Sequence, residues 1–495
     1  MRKRREPPLP SINMSIPTMF TPAIAYRPYR NLPPLAGLAT FEQAARPGLD
    51  VDVAVARLKR FHYAFWRLHQ ICIARLTAES VYEFKMAFSR HGYLAAEADT
   101  LFRDRIGEMR EPPLGLEKIP HLALAVFFDE ILSAPSTTDL VAGLYAKAFP
   151  ALRTALLRYV EEAHPLADAP SIRICRIALM DLHEICAYGD AALIALDLPA
   201  GATTQWLGLL DVCLAAAGGL DGHSPITPNE PIRYYSAKRY IYEGTPNRDA
   251  RFPDPYNQGV NAEKFLYDES KPADLKVLML YYKRLREIDV PEMMASIITE
   301  TKGKPWDYYR DMTRQLWDEA RHAMMGEVGF VSLGLDWPAL VMVNSTWSRS
   351  LNLTLTPKER HAVLYFIEQG LMPKTGKRHE WEVSREALSP LATTFQDYDW
   401  ADEVLHAKIG RDWYVTDMPS PAEAIRYGDV SWSRASNLWQ QWKDEGHTEH
   451  RNWWPDLYRA YCAARALTPD PEILAWHETY EGTRADLEDT TTAGA

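Results

Sequence analysis

The sequence predicts an all-α fold, and three observations carry the prediction. Apolar residues recur at spacings of three and four along most of the chain, as on one buried helix face. Alternation of apolar and polar residues, the mark of strands, is scarce. Proline and glycine interrupt the helical runs where helix-to-helix turns are expected. A chain of 495 residues, 47% hydrophobic and 24% charged, can bury a large core without disulfides.

Residues 1–50 are proline-rich and aperiodic, and read as an extended or disordered arm. Its basic start is followed by no apolar signal core, so no signal peptide is expected. From Val51, the residues Leu58, Phe61, Phe65, Leu68, Cys72 and Leu76 form one apolar helix face. Further helices are expected at about 80–110, 119–133, 137–165, 171–197 and 203–219, so that 51–219 reads as an N-terminal helical bundle. Residues 220–272 are crowded with Pro, Gly, Asn and Asp and read as a linker whose Tyr and Arg residues suit packing over a surface. Helices resume at about 273–302, 305–332, 336–350, 356–371, 380–394 and 396–415, within a domain spanning 273–430. A Trp-rich helical extension, 431–485, and a polar disordered tail, 486–495, complete the chain.

The formal net charge of −11 disfavours a general nucleic-acid binder. Five cysteines, an odd number with no C-x-x-C pair, point to a reducing compartment, so a cytoplasmic location is expected. The most apolar run, 206–220, contains Asp211 and is too short to span a bilayer, so no membrane segment is expected.

Two segments carry metal-ligand chemistry. Asp318-Glu319-Ala-Arg-His322-Ala and Asp402-Glu403-Val-Leu-His406-Ala share one pattern, each with a glycine four residues after the histidine. A Glu and a His three apart project from one helix face and can bind one ion together. Two copies, joined by one Glu from each of two partner helices, make the ligand set of di-metal carboxylate bundles. Imidazole with carboxylate suits iron or manganese.

The partner carboxylates follow from depth in the bundle. Glu319 lies 16 residues after Gly303, the centre of a predicted turn, and Glu287 lies 16 before it. Glu287 is therefore the first choice for the first helix and Glu292 the alternative, because Pro291 should kink the helix at this point. Glu368, in the apolar context Val363-Leu-Tyr-Phe-Ile, is the candidate from the third helix. His361 shares its face as an additional ligand or acid–base group, although a capping or surface role is the simpler reading. Asp318 and Asp402 are expected to orient the histidines crosswise, Asp318 with His406 and Asp402 with His322. Arg321 and Arg411 are candidates to balance the charge. Trp317, Tyr365 and Trp400 read first as core and second as an electron relay. No catalytic residue is assigned beyond the ligands.

These segments resemble the ferritin-like di-iron carboxylate superfamily. The run Asp402 to His406, followed by Gly410 and Trp413, is similar to the final motif of bacterial ferritin-like proteins. Glu368-Gln-Gly-Leu371, Trp317 to His322, and Glu287-Ile-Asp-Val-Pro-Glu292 resemble the third-, second- and first-helix segments. The likeness covers about 275–415, roughly a third of the chain. It implies a ferritin-like four-helix bundle in the C-terminal half. It also implies two iron ions, or a Mn/Fe pair, held by Glu287, Glu319, His322, Glu368, Glu403 and His406, and O2-dependent oxidation of a small-molecule substrate. No Gly-rich flavin or nicotinamide motif is visible, so electrons would come from an external donor or the substrate. A homodimer is compatible with the sequence.

The N-terminal half reads as a degenerate duplicate of this bundle. Aligning Gly189 with Gly410 puts Leu182 at the Glu place and Ile185 at the His place. Glu83, His91, Glu97, His183 and Glu184 are the polar residues left there for any second cluster. Two other functions stay open: a non-enzymatic metal-binding, stress or structural protein with a vestigial site, and a tRNA-modifying hydroxylase, which the acidic charge disfavours.

Overall fold

The computed structural model describes residues 26–109, 115–197, 202–228, 231–373 and 376–480. The fold is all-helical, with no strand among the described residues. The first half of the predicted arm (1–25) and the tail 486–495 lie outside them. Residues 26–50 form short turns and a one-turn helix, Phe41–Ala44, closed by a capping box of Thr40 and Gln43.

The amino half comprises α1 (Val51–Leu76), α2 (Tyr82–Glu108), α3 (Leu122–Leu132), α4 (Phe149–Glu162), α5 (Ala169–Ala195) and α6 (Ala202–Ala216). The predicted apolar face of α1 is buried throughout. A π-type segment, Ala142–Ala148, leads into α4. The helical run Thr137–Glu162 is the one described run long and apolar enough to cross a membrane, and 61% of its apolar window is buried inside the fold.

The described residues of 220–272 pack as a strap. The buried Glu130 of α3 accepts the backbone N–H groups of Tyr234, Tyr235 and Ser236, and Asn247 donates its N–H to the Thr77 carbonyl. Its tyrosines pack over a surface: the Tyr240 hydroxyl donates to the Ala74 carbonyl, and the Tyr242 hydroxyl meets Thr77 Oγ1.

The carboxyl half comprises α7 (Ala273–Arg286), α8 (Asp289–Glu300), α9 (Trp306–Ser332), α10 (Thr346–Thr354), α11 (Pro357–Gly370), α12 (Lys377–Glu386), α13 (Pro390–Trp413), α14 (Pro421–Asp444) and α15 (Trp454–Ala464). The single helix expected over 273–302 is broken at Glu287. Pro291 has no N–H for the Glu287 carbonyl, which accepts from Val290 at 3.0 Å instead. The helix expected over 336–350 is also broken, by an irregular stretch at 341–345. Helix α14 runs across the domain boundary expected at 430.

Helix α9 packs on α7, α8 and α13; α11 packs on α13 and α8; α12 lies against α7 and α13. Close approach of α7 to α9 depends on Gly326, where a Cβ would come within 2.2 Å of the Leu285 backbone nitrogen. Between the halves, α1 meets α8 and α2 meets α9. Some of the packing pairs correspond between the halves, although α14 lies mainly on α11. In the amino half α1 lies on α2, α2 on α5, α4 on α5, and α6 on α3. In the carboxyl half α7 and α8 lie on α9, α9 on α13, α11 on α13, and α14 on α10.

Candidate metal centre

Four helical elements converge on one buried cluster. Glu287 stands at the break between α7 and α8, Glu319 and His322 one turn apart on α9, Glu368 on α11, and Glu403 and His406 one turn apart on α13. Ligand atoms of Glu287, Glu319, His322 and Glu403 all lie within 4.8 Å of one another, and so do those of Glu319, Glu368, Glu403 and His406. Glu319 and Glu403 belong to both groups. His322 Nδ1 is 3.4 Å from Glu287 and 3.5 Å from Glu319. His406 Nδ1 is 3.1 Å from Glu319, 3.3 Å from Glu403 and 3.9 Å from Glu368. Ligand atoms each about 2.1 Å from a shared ion are separated by about 3–4 Å, so the spacing suits metal.

The unmet polar atoms test the fit. His322 Nδ1 and Glu287 Oε2 are buried without a hydrogen-bond partner. Orphaned buried groups of this kind are costly. An ion between them would satisfy both.

The two aspartates pair crosswise. His406 Nε2 lies 3.4 Å from Asp318 Oδ2, and His322 Nε2 lies 3.2 Å from Asp402 Oδ2. Each histidine thus keeps Nδ1 for the cluster. Arg321 donates to both aspartates, and Arg314 Nε reaches Asp318 at 3.0 Å. Arg411 is exposed.

Glu292 lies elsewhere. It is buried against Lys85 Nζ at 2.9 Å, Arg248 at 2.9 Å and Ser348 Oγ at 2.9 Å, in a network that joins the amino half, the strap and α8. His361 stands outside both ligand groups, between the rings of Tyr308 and Tyr414. Tyr365 packs on Gly410, and Trp317 and Trp400 are half-buried. In the amino half Glu83 pairs with Arg251, His91 with the Tyr145 hydroxyl, and Glu184 with Arg90. None of these residues, nor Glu97 or His183, belongs to a ligand group among the described residues.

Five charged residues of the site were missed by sequence reasoning. Lys377 donates to Asp399 at 2.9 Å and to Glu403 Oε1 at 2.8 Å. Arg284 pairs with Glu287 at 2.9 Å and also with Asp399. Glu380 accepts from Lys283. Two signals were available: Asp399 precedes Glu403 by four residues and Arg284 precedes Glu287 by three, each on its ligand's own face.

Together Glu287, Glu319, Glu368, Glu380, Asp399 and Glu403 set six carboxylates against three cations, Lys283, Arg284 and Lys377. This surplus of carboxylates favours the protonated forms of their neighbours. Burial, with Glu403 and Glu319 alongside, drives the Glu368 carboxyl well above its usual range. Burial opposes charge on the histidines, but the surrounding carboxylates prevail. Asp402, Glu287 and Glu319 raise His322 to about 10, and Asp318, Glu319 and Glu403 raise His406 well above its ordinary value. Burial also works against ionised Glu287, yet Arg284 and Lys377 hold it at about 2.

Comparison with known proteins adds no relative to this geometry: no family model, no curated protein and no solved structure matches the chain.

Proposed function

We propose that the carboxyl half is a ferritin-like di-iron domain and that the protein is an oxidoreductase using O2 to oxidise a small organic substrate, with a Mn/Fe pair as the alternative metal content. The observation carrying this reading is the pair of four-ligand groups sharing Glu319 and Glu403, with His322 Nδ1 buried in the first of them without a hydrogen bond. Bound there, two redox-active ions would supply the electron transfer to O2 that no side chain of the cluster can perform.

The chain's own residues hold and tune that position. Glu319 and Glu403 belong to both ligand groups and would help hold both ions, while Glu287 and Glu368 would each help hold one. Lys377 holds Glu403 Oε1, which leaves Oε2 toward His406. Gln315 Nε2 donates to Glu368 Oε1 at 3.1 Å and fixes that carboxyl. Asp318 and Asp402 set the tautomer and tilt of the two imidazoles.

The amino half is, in this reading, a copy without ligands. Both halves have a five-residue turn, between α1 and α2 and between α8 and α9, centred on Glu79 and Gly303. Counted from those centres, Tyr63, Ala95 and Ala98 take the places of Glu287, Glu319 and His322. Gly189 packs on Tyr145 as Gly410 packs on Tyr365, which puts Ala148, Leu182 and Ile185 at the places of Glu368, Glu403 and His406. All six are buried, and none is a carboxylate or a histidine.

One observation favours a second reading, a structural helical protein with a vestigial site: Lys377 and Arg284 already neutralise part of the cluster. Anaerobic loading with Fe(II), followed by spectroscopy on O2 exposure, decides between them. The enzyme reading expects about two irons per chain and an optical change with O2 uptake. Binding of well under one iron per chain would overturn it.

A further inference from the structure

A cleft of about 1220 Å³ opens between α1, the strap at 233–242 and the turn joining α8 to α9. Ligand pockets commonly span about 300–1,000 Å³. We infer that this cleft binds a planar aromatic anion of mononucleotide size or larger, at a site separate from the metal centre.

Its charge argues for an anion. The acidic residues lining it are already paired: Asp129 with Arg67 at 2.7 Å and Arg233 at 2.8 Å, Glu117 with Arg103 at 3.6 Å, and Glu300 with Arg360. Lys238, Arg239 and Lys302 also line the cleft, are exposed, and have no carboxylate partner among the described residues. Such a local surplus of positive charge, on a chain whose net charge is −11, attracts and orients an anion.

Its walls argue for a ring. Trp66, Trp306, Tyr309 and Tyr240 line the same space, and flat aromatic faces bind planar rings by stacking. The buried wall includes His69, about 3% exposed. Its Nε2 is held by Thr313 Oγ1 at 2.8 Å, whereas its Nδ1 is buried with no partner. A ring heteroatom or substituent would complete it. Trp306 precedes Glu319 by 13 residues on α9, about 20 Å along the axis, so this ligand does not touch the ions.

Equilibrium dialysis of the full chain tests the assignment with flavin mononucleotide and AMP, their uncharged counterparts riboflavin and adenosine, and inorganic phosphate. At least one phosphorylated ring compound should bind about ten-fold more tightly than its uncharged counterpart and than phosphate alone. The exposed double change Lys238→Glu with Arg239→Glu should weaken that binding about ten-fold, and Trp306→Ala should weaken it as well, both with iron content unchanged. Retention of neither phosphorylated compound, equal retention of the uncharged forms, equal binding of phosphate, or indifference to both sets of changes would overturn the proposal. Iron content, read on the same samples, keeps failure here distinct from failure of the di-iron reading.

Discussion

His322 on α9 and Asp402 on α13 meet across the gap between two helices, with Nε2 3.2 Å from Oδ2. The contact turns the imidazole so that its other nitrogen faces the carboxylate cluster. Asp402→Asn keeps an acceptor and removes the charge. Metal affinity should fall about 10–100-fold with the fold retained, as read by competition with a chelating dye. Unchanged affinity would make the contact incidental.

The two first-helix glutamates should fail differently. Glu287→Ala should lose at least one bound ion, read by metal analysis after anaerobic loading. Glu292→Ala should keep both ions but strand Lys85 and Arg248 in the interior, at a cost of about 3–5 kcal/mol in denaturant unfolding. Loss of ions from Glu292→Ala with retention in Glu287→Ala would reverse the assignment.

Lys377→Met removes the cation beside Asp399 and Glu403. The metal-free protein should lose about 3–5 kcal/mol, because buried carboxylates are left uncompensated. Ions would restore that compensation, so the rise in Tm on metal loading should exceed that of the unaltered protein. An equal rise would show that Lys377 and the ions do not share the same charge.

Metal loading should expel protons. His322, with its pKa at about 10, and His406, raised well above the ordinary value, favour protons at neutral pH, and burial pushes the Glu368 carboxyl in the same direction. Ligation needs the unprotonated forms, so protons should leave as the ions bind. Affinity should therefore increase as pH rises from 6 toward about 10. An indicator dye in weak buffer reads the release, and an absence of released protons would contradict the charge balance drawn from the cluster.

Acid should destabilise the fold through two other histidines. Burial pushes His69 and His361 from 6.5 down to about 4. Both are neutral in the fold, while the unfolded chain takes up their protons below 6.5. Their contribution is complete above 6.5 and is lost as pH falls through about 4, by about 3 kcal/mol for each. Unfolding free energies measured on the metal-free protein over that window should fall, and His361→Phe should flatten the slope. An unaltered slope in His361→Phe would show that this histidine is not held neutral.

Much of the arrangement was legible in the residues themselves. Helix faces follow from local spacing, so α1 and α9 could be read directly, and equal depth about Gly303 placed Glu287 level with Glu319. The kink at Pro291 follows from a missing N–H and needs no tertiary information. Lys377 was hidden for the opposite reason. Its helix reads Lys-Arg-His-Glu, the pattern of a solvated face, and only the packing of α12 on α7 and α13 carries that lysine inward. The strap's partners were hidden in the same way, because Arg248 becomes buried only through residues more than 40 positions away.

The repeated packing pairs have a consequence for how this molecule can change over generations. A protein assembled from two identical subunits alters both copies of every surface with each substitution. Here the two bundles are consecutive stretches of one chain, so each can drift alone. Under the proposed duplication, one would have kept a charged interior while the other filled the same places with tyrosine, alanine, leucine and isoleucine. The cleft between them, built from a helix of one and a turn of the other, is likewise free to specialise without a mirror image.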